Sequence, residues 1–231
     1  APQTKITKKY IRIQATDSSL WKYNRKTHTL IITGNEGTNS ESAAIIDADS
    51  QMDKDDGQRY NIGSFSLDST AKGRHAANEL ITKTEKIIIK DGITTINSAA
   101  FASFQSLTKI TIPNSVKKIG DFALKDCKRL QQITIPASVV KIGGGAFENC
   151  TNLYDIKFES GSNCNSMENY PNNPGSSPIQ NCKSLRTFQM PNRIKYISKY
   201  FFEGCNSLES VSFGKNFRGY QMTFGDENIF D

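Results

Sequence analysis

The sequence predicts an α/β-type repeat solenoid. Short strands stack in parallel, unit upon unit, joined by irregular or short helical turns and preceded by a β-rich cap. Three observations predict it. Leu107, Leu130 and Leu153 recur every 23 residues, Leu185 follows after 32, and Leu208 after another 23. Cys127, Cys150, Cys182 and Cys205 repeat the intervals 23, 32 and 23. Two independent residue types sharing one period mark internal repetition. Pro113, Pro136 and Pro191 fall at one position of that period, where a residue that cannot donate to a ladder ends a strand.

In chain order, residues 1–83 form the cap and residues 84–231 a solenoid of about six units: 84–106, 107–129, 130–152, 153–184, 185–207 and 208–231. Within the cap, Leu20–Tyr23 and Thr29–Thr33 read as a hairpin, and residues 35–83 follow no recognisable pattern. Each unit opens on a period-2 stretch, such as Ile110 and Ile112 with Lys109 and Thr111 between them, which is a brief strand with one buried face. A second apolar cluster follows, for example Val139, Ile142, Ala146, Phe147 and Cys150, with Gly143-Gly144-Gly145 permitting the bend. One unit cannot bury both apolar walls, so copies must stack, strand beside strand at about 4.8 Å.

The consensus L-x-x-I-x-I-P-x-x-V-x-x-I-G-x-x-A-F-x-x-C, read from Leu107–Asn152, resembles the BspA-type (Treponema pallidum-type) leucine-rich repeat. Units 84–106 and 185–207 follow it well; 153–184 and 208–231 follow it loosely. Upstream, Leu20-Trp21-Lys22-Tyr23 and Thr29-Leu30-Ile31-Ile32-Thr33-Gly34 are similar to the hairpin that often precedes such repeats, without the proline-tryptophan-tyrosine element that usually follows. The resemblance implies a right-handed leucine-rich-repeat coil with the parallel sheet on its concave face. It also implies an extracellular or cell-surface setting, in host-associated bacteria or mucosal protists, and often a role in adhesion.

Composition narrows the function. Mean hydropathy is −0.51, and no run approaches the roughly 18 apolar residues of a transmembrane helix. The chain opens Ala1-Pro2-Gln3, as a processed chain would, so an export signal is not visible in it. The net charge of +6 conceals opposed blocks: residues 1–30 are basic, and residues 36–56 carry Glu36, Glu41, Asp47, Asp49, Asp53, Asp55 and Asp56 against Lys54. Such blocks read as solvated or mutually facing loops rather than as a nucleic-acid footprint. Asp47 to Gly57 has some alternation of a calcium loop, but its glycine and closing acid are misplaced. No metal and no cofactor are expected. His28 and His75 are the two imidazoles, and neither sits in a catalytic motif. An enzyme activity, if there is one, is confined to residues 1–83.

Cys127, Cys150, Cys182 and Cys205 should form a structural column inside the stack, each thiol meeting a backbone carbonyl. Parallel Cβ vectors suit disulfides poorly, and no C-x-x-C accompanies them. Cys164 reads as an exposed thiol, or one with a partner the sequence does not identify, in the polar insertion 161–178, which adds nine residues to its unit. That insertion is either a tolerated surface loop or a binding loop using Met167 and Tyr170. The outward strand positions form the other candidate face: Lys86, Lys90, Lys109, Thr111, Gln132, Thr134, Asp155, Lys157, Thr187 and Gln189. It is polar, mildly basic and offers no aromatic ring on which a sugar or base would stack. A protein partner, host or microbial, therefore fits it better than nucleic acid. The same lysines would also keep an exposed sheet soluble. Two functions stay open: a protein-binding or adhesion module, and a spacer of a longer surface protein, since a further repeat step could fall where the chain ends.

Overall fold

The computed structural model describes residues 5–6, 10–14, 20–33, 44–45, 79–96, 98–167 and 177–220. Five N-terminal strands come first: β1 (Lys5–Ile6), β2 (Tyr10–Gln14), β3 (Leu20–Asn24), β4 (Thr29–Thr33) and β5 (Ala44–Ile45). The repeats then contribute two strands each: β6 (Lys86–Ile89) and β7 (Thr95–Ile96), β8 (Lys109–Thr111) and β9 (Lys118–Ile119), β10 (Gln132–Ile135) and β11 (Lys141–Ile142). These are followed by β12 (Asp155–Phe158) and β13 (Ser166–Met167), β14 (Thr187–Gln189) and β15 (Tyr196–Ile197), and β16 (Ser210–Ser212) and β17 (Gly219–Tyr220). Among the described residues, helix is confined to residues 79–83, and no helix is long and apolar enough to cross a membrane.

The result is a parallel β-solenoid with three walls. The first wall carries β4, β6 and β8 in parallel, then the parallel pairs β10–β12 and β14–β16. Register follows the repeat: Lys86 faces Lys109, Gln132 faces Asp155, and Thr187 faces Ser210. The second wall stacks β5, β7, β9, β11 and β13 in parallel, then β15 with β17. The third wall has no strands but has its own ladder. Ala99 and Phe101 donate to the carbonyls of Asp121 and Ala123, Phe122 and Leu124 to Gly144 and Ala146, and Gly145 and Phe147 to Ser177 and Pro178.

The turns of this third wall use left-handed backbone at two repeat positions, the first in four units and the second in five. One comprises Ala99, Phe122, Gly145 and Tyr200, the other Ser103, Asp126, Asn149, Asn181 and Gly204. Asparagine tolerates this region better than most residues, and glycine freely. Of the three consecutive glycines 143–145, only Gly145 has a positive φ, at 64°. Gly143 is required for space instead: a Cβ there would lie 2.6 Å from the backbone nitrogen of Asp121 in the preceding repeat.

All three walls bury one core. Leu107, Leu130, Leu153 and Leu185 are fully buried, as are Phe101, Phe104 and Phe147. Each such side chain contributes roughly 1.5–3 kcal/mol by leaving water. Toward the C-terminus, Phe188 packs edge-on against Phe158, Phe201 and Phe202. At the other end the hairpin β3–β4 is antiparallel and β4 adds in parallel to β6, with Tyr23, Leu30 and Ile32 continuing the core. Arg25 at the hairpin turn makes a bidentate pair with Glu79, at 2.7 and 2.8 Å.

Candidate binding surfaces

On the first wall, period-2 alternation turns Ile87, Ile110, Ile133, Ile156 and Phe188 inward and their neighbours outward. Lys86, Lys90, Lys109, Thr111, Gln132, Thr134, Lys157, Thr187 and Gln189 are exposed, and Asp155 is half-buried. Lys86 and Lys109 are register partners, so two like charges stand about one strand spacing apart at the N-terminal end. Further along, Lys157 pairs with Asp155 at 3.4 Å, an exposed and therefore weak ion pair that leaves the ammonium largely in solvent. Tyr154, 42% exposed, has its hydroxyl against the amide of Gln132. This ring was missed by counting strand positions, because it stands one residue before β12. The polar C-terminal half continues through Thr187, Gln189, Ser210 and Ser212.

The four periodic cysteines are fully or almost fully buried and none is in a disulfide. Cys127 donates its thiol to the carbonyl of Phe101, Cys150 to Leu124, Cys182 to Phe147 and Cys205 to Ile179, at 3.2–3.3 Å. Each bond reaches back into the previous repeat, so the column is also a seam between units. Burial raises these thiols, Cys127 to about 12, and opposes thiolate formation.

Two expectations about the insertion are corrected. Cys164 is not an exposed thiol but fully buried. Asn163 and Asn165 donate backbone N–H groups to Ala137 and Val140, extending the second wall through this segment and turning Cys164 inward. Cys164 thereby takes the position of Val116 and Val139. Met167, expected as a loop contact, pairs in register with Ile142 and is 2% exposed, so it belongs to the core. The insertion is split: two extra residues precede Cys164, and the rest follow Met167. Tyr170 lies outside the described residues, as do His75 and the acidic run 47–57.

The second wall presents a surface that sequence reasoning did not single out. Lys117, Lys118, Lys141, Lys195 and Arg218 are exposed on it. None of residues 93–96, 116–119, 139–142, 163–167, 194–197 or 217–220 is acidic. Among the described residues no ladder bond joins β13 to β15, and an open cleft of about 710 Å³ lies there. Met167 lies at its floor, Asn165 and Ser166 on one side, and Arg193, Lys195, Tyr196 and Asn216 on the other. The signal was present in the sequence as the alternation of Val116–Ile119 and Ile194–Ile197, each enclosing two outward residues.

The fold and these faces define a class: a parallel repeat solenoid whose outer walls are polar over a continuous apolar core. Within that class the chain belongs to the BspA-type leucine-rich repeat family, whose model matches residues 78–173 and 163–226 with six copies. No curated protein matches the chain. Among solved structures it is similar to a leucine-rich repeat protein from Bacteroides ovatus, at 28% identity and a TM-score of 0.49, over 59% of this chain and 33% of that one. It is similar to the Treponema pallidum leucine-rich repeat protein at 17% identity and a TM-score of 0.47, over 87% and 85% of the two chains. The pneumococcal vaccine antigen PcpA matches at 17% identity and a TM-score of 0.47, over 90% of this chain and 49% of its own. The chain thus spans a third of the Bacteroides protein and about half of PcpA.

Proposed function

We propose that this chain is a non-catalytic protein-binding module that works outside the cell or at its surface and reads its partner with the first wall. The observation that carries this reading is the outward row itself. Lysines 86, 90 and 109 gather at one end, the Gln132–Tyr154 pair stands at the centre, and short hydroxyl and amide side chains follow. A regular, polar row with one aromatic near its middle suits a folded protein surface, where a central ring anchors and peripheral charges steer. Family membership supports a repeat scaffold of this kind. The lysine end suits an acidic patch on the partner.

The test is capture of surface proteins from host mucosal cells and bacteria by the immobilised chain, with quantitative binding of any captured partner. A triple charge reversal, Lys86→Glu, Lys109→Glu and Lys157→Glu, and separately Tyr154→Ala, are expected to weaken that binding at least about tenfold. Unchanged binding by both variants overturns the proposed face. Absence of any captured partner favours a spacer role instead.

A further inference from the structure

The cleft on the second wall has a chemistry unlike the first wall. Arg193 offers a planar fork that fits a carboxylate or sulfate with two hydrogen bonds, and Lys195 beside it offers a point charge. The Nδ2 of Asn216 donates to the carbonyl of Asn192 at 3.0 Å, which orients that side chain. Its amide oxygen and the exposed amide of Asn165 suit hydroxyl groups. Tyr196 is 51% exposed and adds a ring face at the edge of the cleft.

Cations also continue away from the cleft along the stack. On one side Lys141 and Lys118 are register partners, and Lys117 precedes Lys118; on the other, Arg218 follows Lys195 by one repeat. Strands repeat at about 4.8 Å, so the positive charge recurs along the solenoid axis at a spacing that a linear polyanion can follow. Glu159, between the first and second walls, accepts a hydrogen bond from the backbone N–H of Ala137 at 3.1 Å.

The ligand class follows from what else the wall presents. Val140, 37% exposed, is its large exposed aliphatic side chain among the described residues. A protein partner would lack the apolar pocket in which hot spots seat. A nucleic-acid strand stacks successive bases on several rings, whereas among the described residues Tyr196 is the one ring lining the cleft. Charge, a guanidinium fork, amides and one ring suit a hydroxyl-rich anionic chain. We propose that the cleft and the cationic row bind a linear polysaccharide bearing sulfate or carboxylate groups, independently of the protein-binding face.

The experiment measures binding of the whole chain, near physiological salt, to a heparin-derived octasaccharide, a hyaluronan octasaccharide and a heparin disaccharide. A poly-glutamate peptide and a single-stranded oligonucleotide of matched charge serve as comparators. The sulfated octasaccharide is expected to bind tightest, and more tightly than the disaccharide. Arg193→Gln with Lys195→Gln should weaken it at least about tenfold. Lys117→Gln with Lys118→Gln should remove the advantage of length. Hyaluronan binding that is lost in the same variants assigns the carboxylate form of the ligand. Lys86→Glu with Lys109→Glu, on the first wall, should change nothing. The proposal is overturned if neither octasaccharide binds, if the peptide or the oligonucleotide binds as well as the sulfated octasaccharide, or if the first-wall variant loses as much as the cleft variant. All these positions are exposed, so the variants are expected to keep the fold, which circular dichroism checks.

Discussion

Asn181 donates its side-chain amide to Oδ1 of Asn149, 3.0 Å away and one repeat earlier, while Asn149 donates to Asp126 at 3.0 Å. Three units are thereby tied at their left-handed corners, where the same side chains also make the backbone conformation tolerable. Asn149→Ala removes both bonds and places alanine at a φ of 60°. It is expected to destabilise the fold by about 2–4 kcal/mol. Asn149→Asp keeps the tolerated backbone but places a carboxylate against Asp126, so an intermediate loss is expected. Urea unfolding followed by circular dichroism measures both.

The glycines at the corners separate two kinds of constraint. Gly204→Ala would bring a Cβ to 2.0 Å from Oδ1 of Asn181 and carries a φ of 73° as well. Gly143→Ala meets the backbone of Asp121, yet its own φ is not in the left-handed region. Both should lose about 2 kcal/mol or more. Alanine at Gly92, which has a positive φ but open space around it, should lose only about 1 kcal/mol. Thermal unfolding of the three variants checks the order.

Truncation of the periodic leucines should depend on position in the stack. Leu130 and Leu153 are fully buried with a repeat on either side, and replacement by alanine is expected to cost about 3–5 kcal/mol. Leu208 is only half-buried against the same core, so Leu208→Ala should cost less than half of that. Equal losses at the three positions would show that the last described repeat is packed as tightly as the middle ones.

The thiols predict an alkaline weakness. Burial raises Cys127 and Cys164 to about 12 and Cys205 to about 11, against an ordinary value of 9.0. A group held protonated by the fold stabilises it fully below pH 9, where the unfolded thiol is also protonated. That stability is lost as pH rises from about 9 toward the folded value, because the unfolded chain releases the proton first. Each fully buried thiol contributes a slope of up to about 1.4 kcal/mol per pH unit. The urea midpoint should therefore fall between pH 8 and pH 10. Cys127→Ser, which keeps a donor for Phe101 but does not titrate, should fall less. At pH 8 the native chain should resist thiol reagents and react at all five cysteines once unfolded.

Much of the repeat region was legible because spacing alone determines which residues stack. The 23-residue period placed Leu107, Leu130 and Leu153 in one buried column, and period-2 alternation assigned the outward first-wall positions. The hairpin before the repeats was equally readable, since Leu20–Asn24 and Thr29–Thr33 alternate around a short turn. The unit 153–184 was not read correctly in detail. Polar neighbours such as Asn163 and Asn165 look like loop by composition, although their backbone bonds to Ala137 and Val140 make them wall. Burial of Cys164 and Met167 follows from that pairing, which composition cannot reveal. The cleft was illegible for a related reason: it exists where a ladder is interrupted, and an interruption between chain-distant strands leaves no local signature.

That interruption bears on how the molecule carries a load. At the junction of units 153–184 and 185–207, neither the first nor the second wall has a ladder bond among the described residues, as the breaks between β12 and β14 and between β13 and β15 show. The third wall still spans it, through Asn181 to Glu203, Ser177 to Phe201 and Cys205 to Ile179. Tension along the axis is therefore borne off-centre at this one junction, and the last two units should peel away from the cleft side before any other pair of repeats separates.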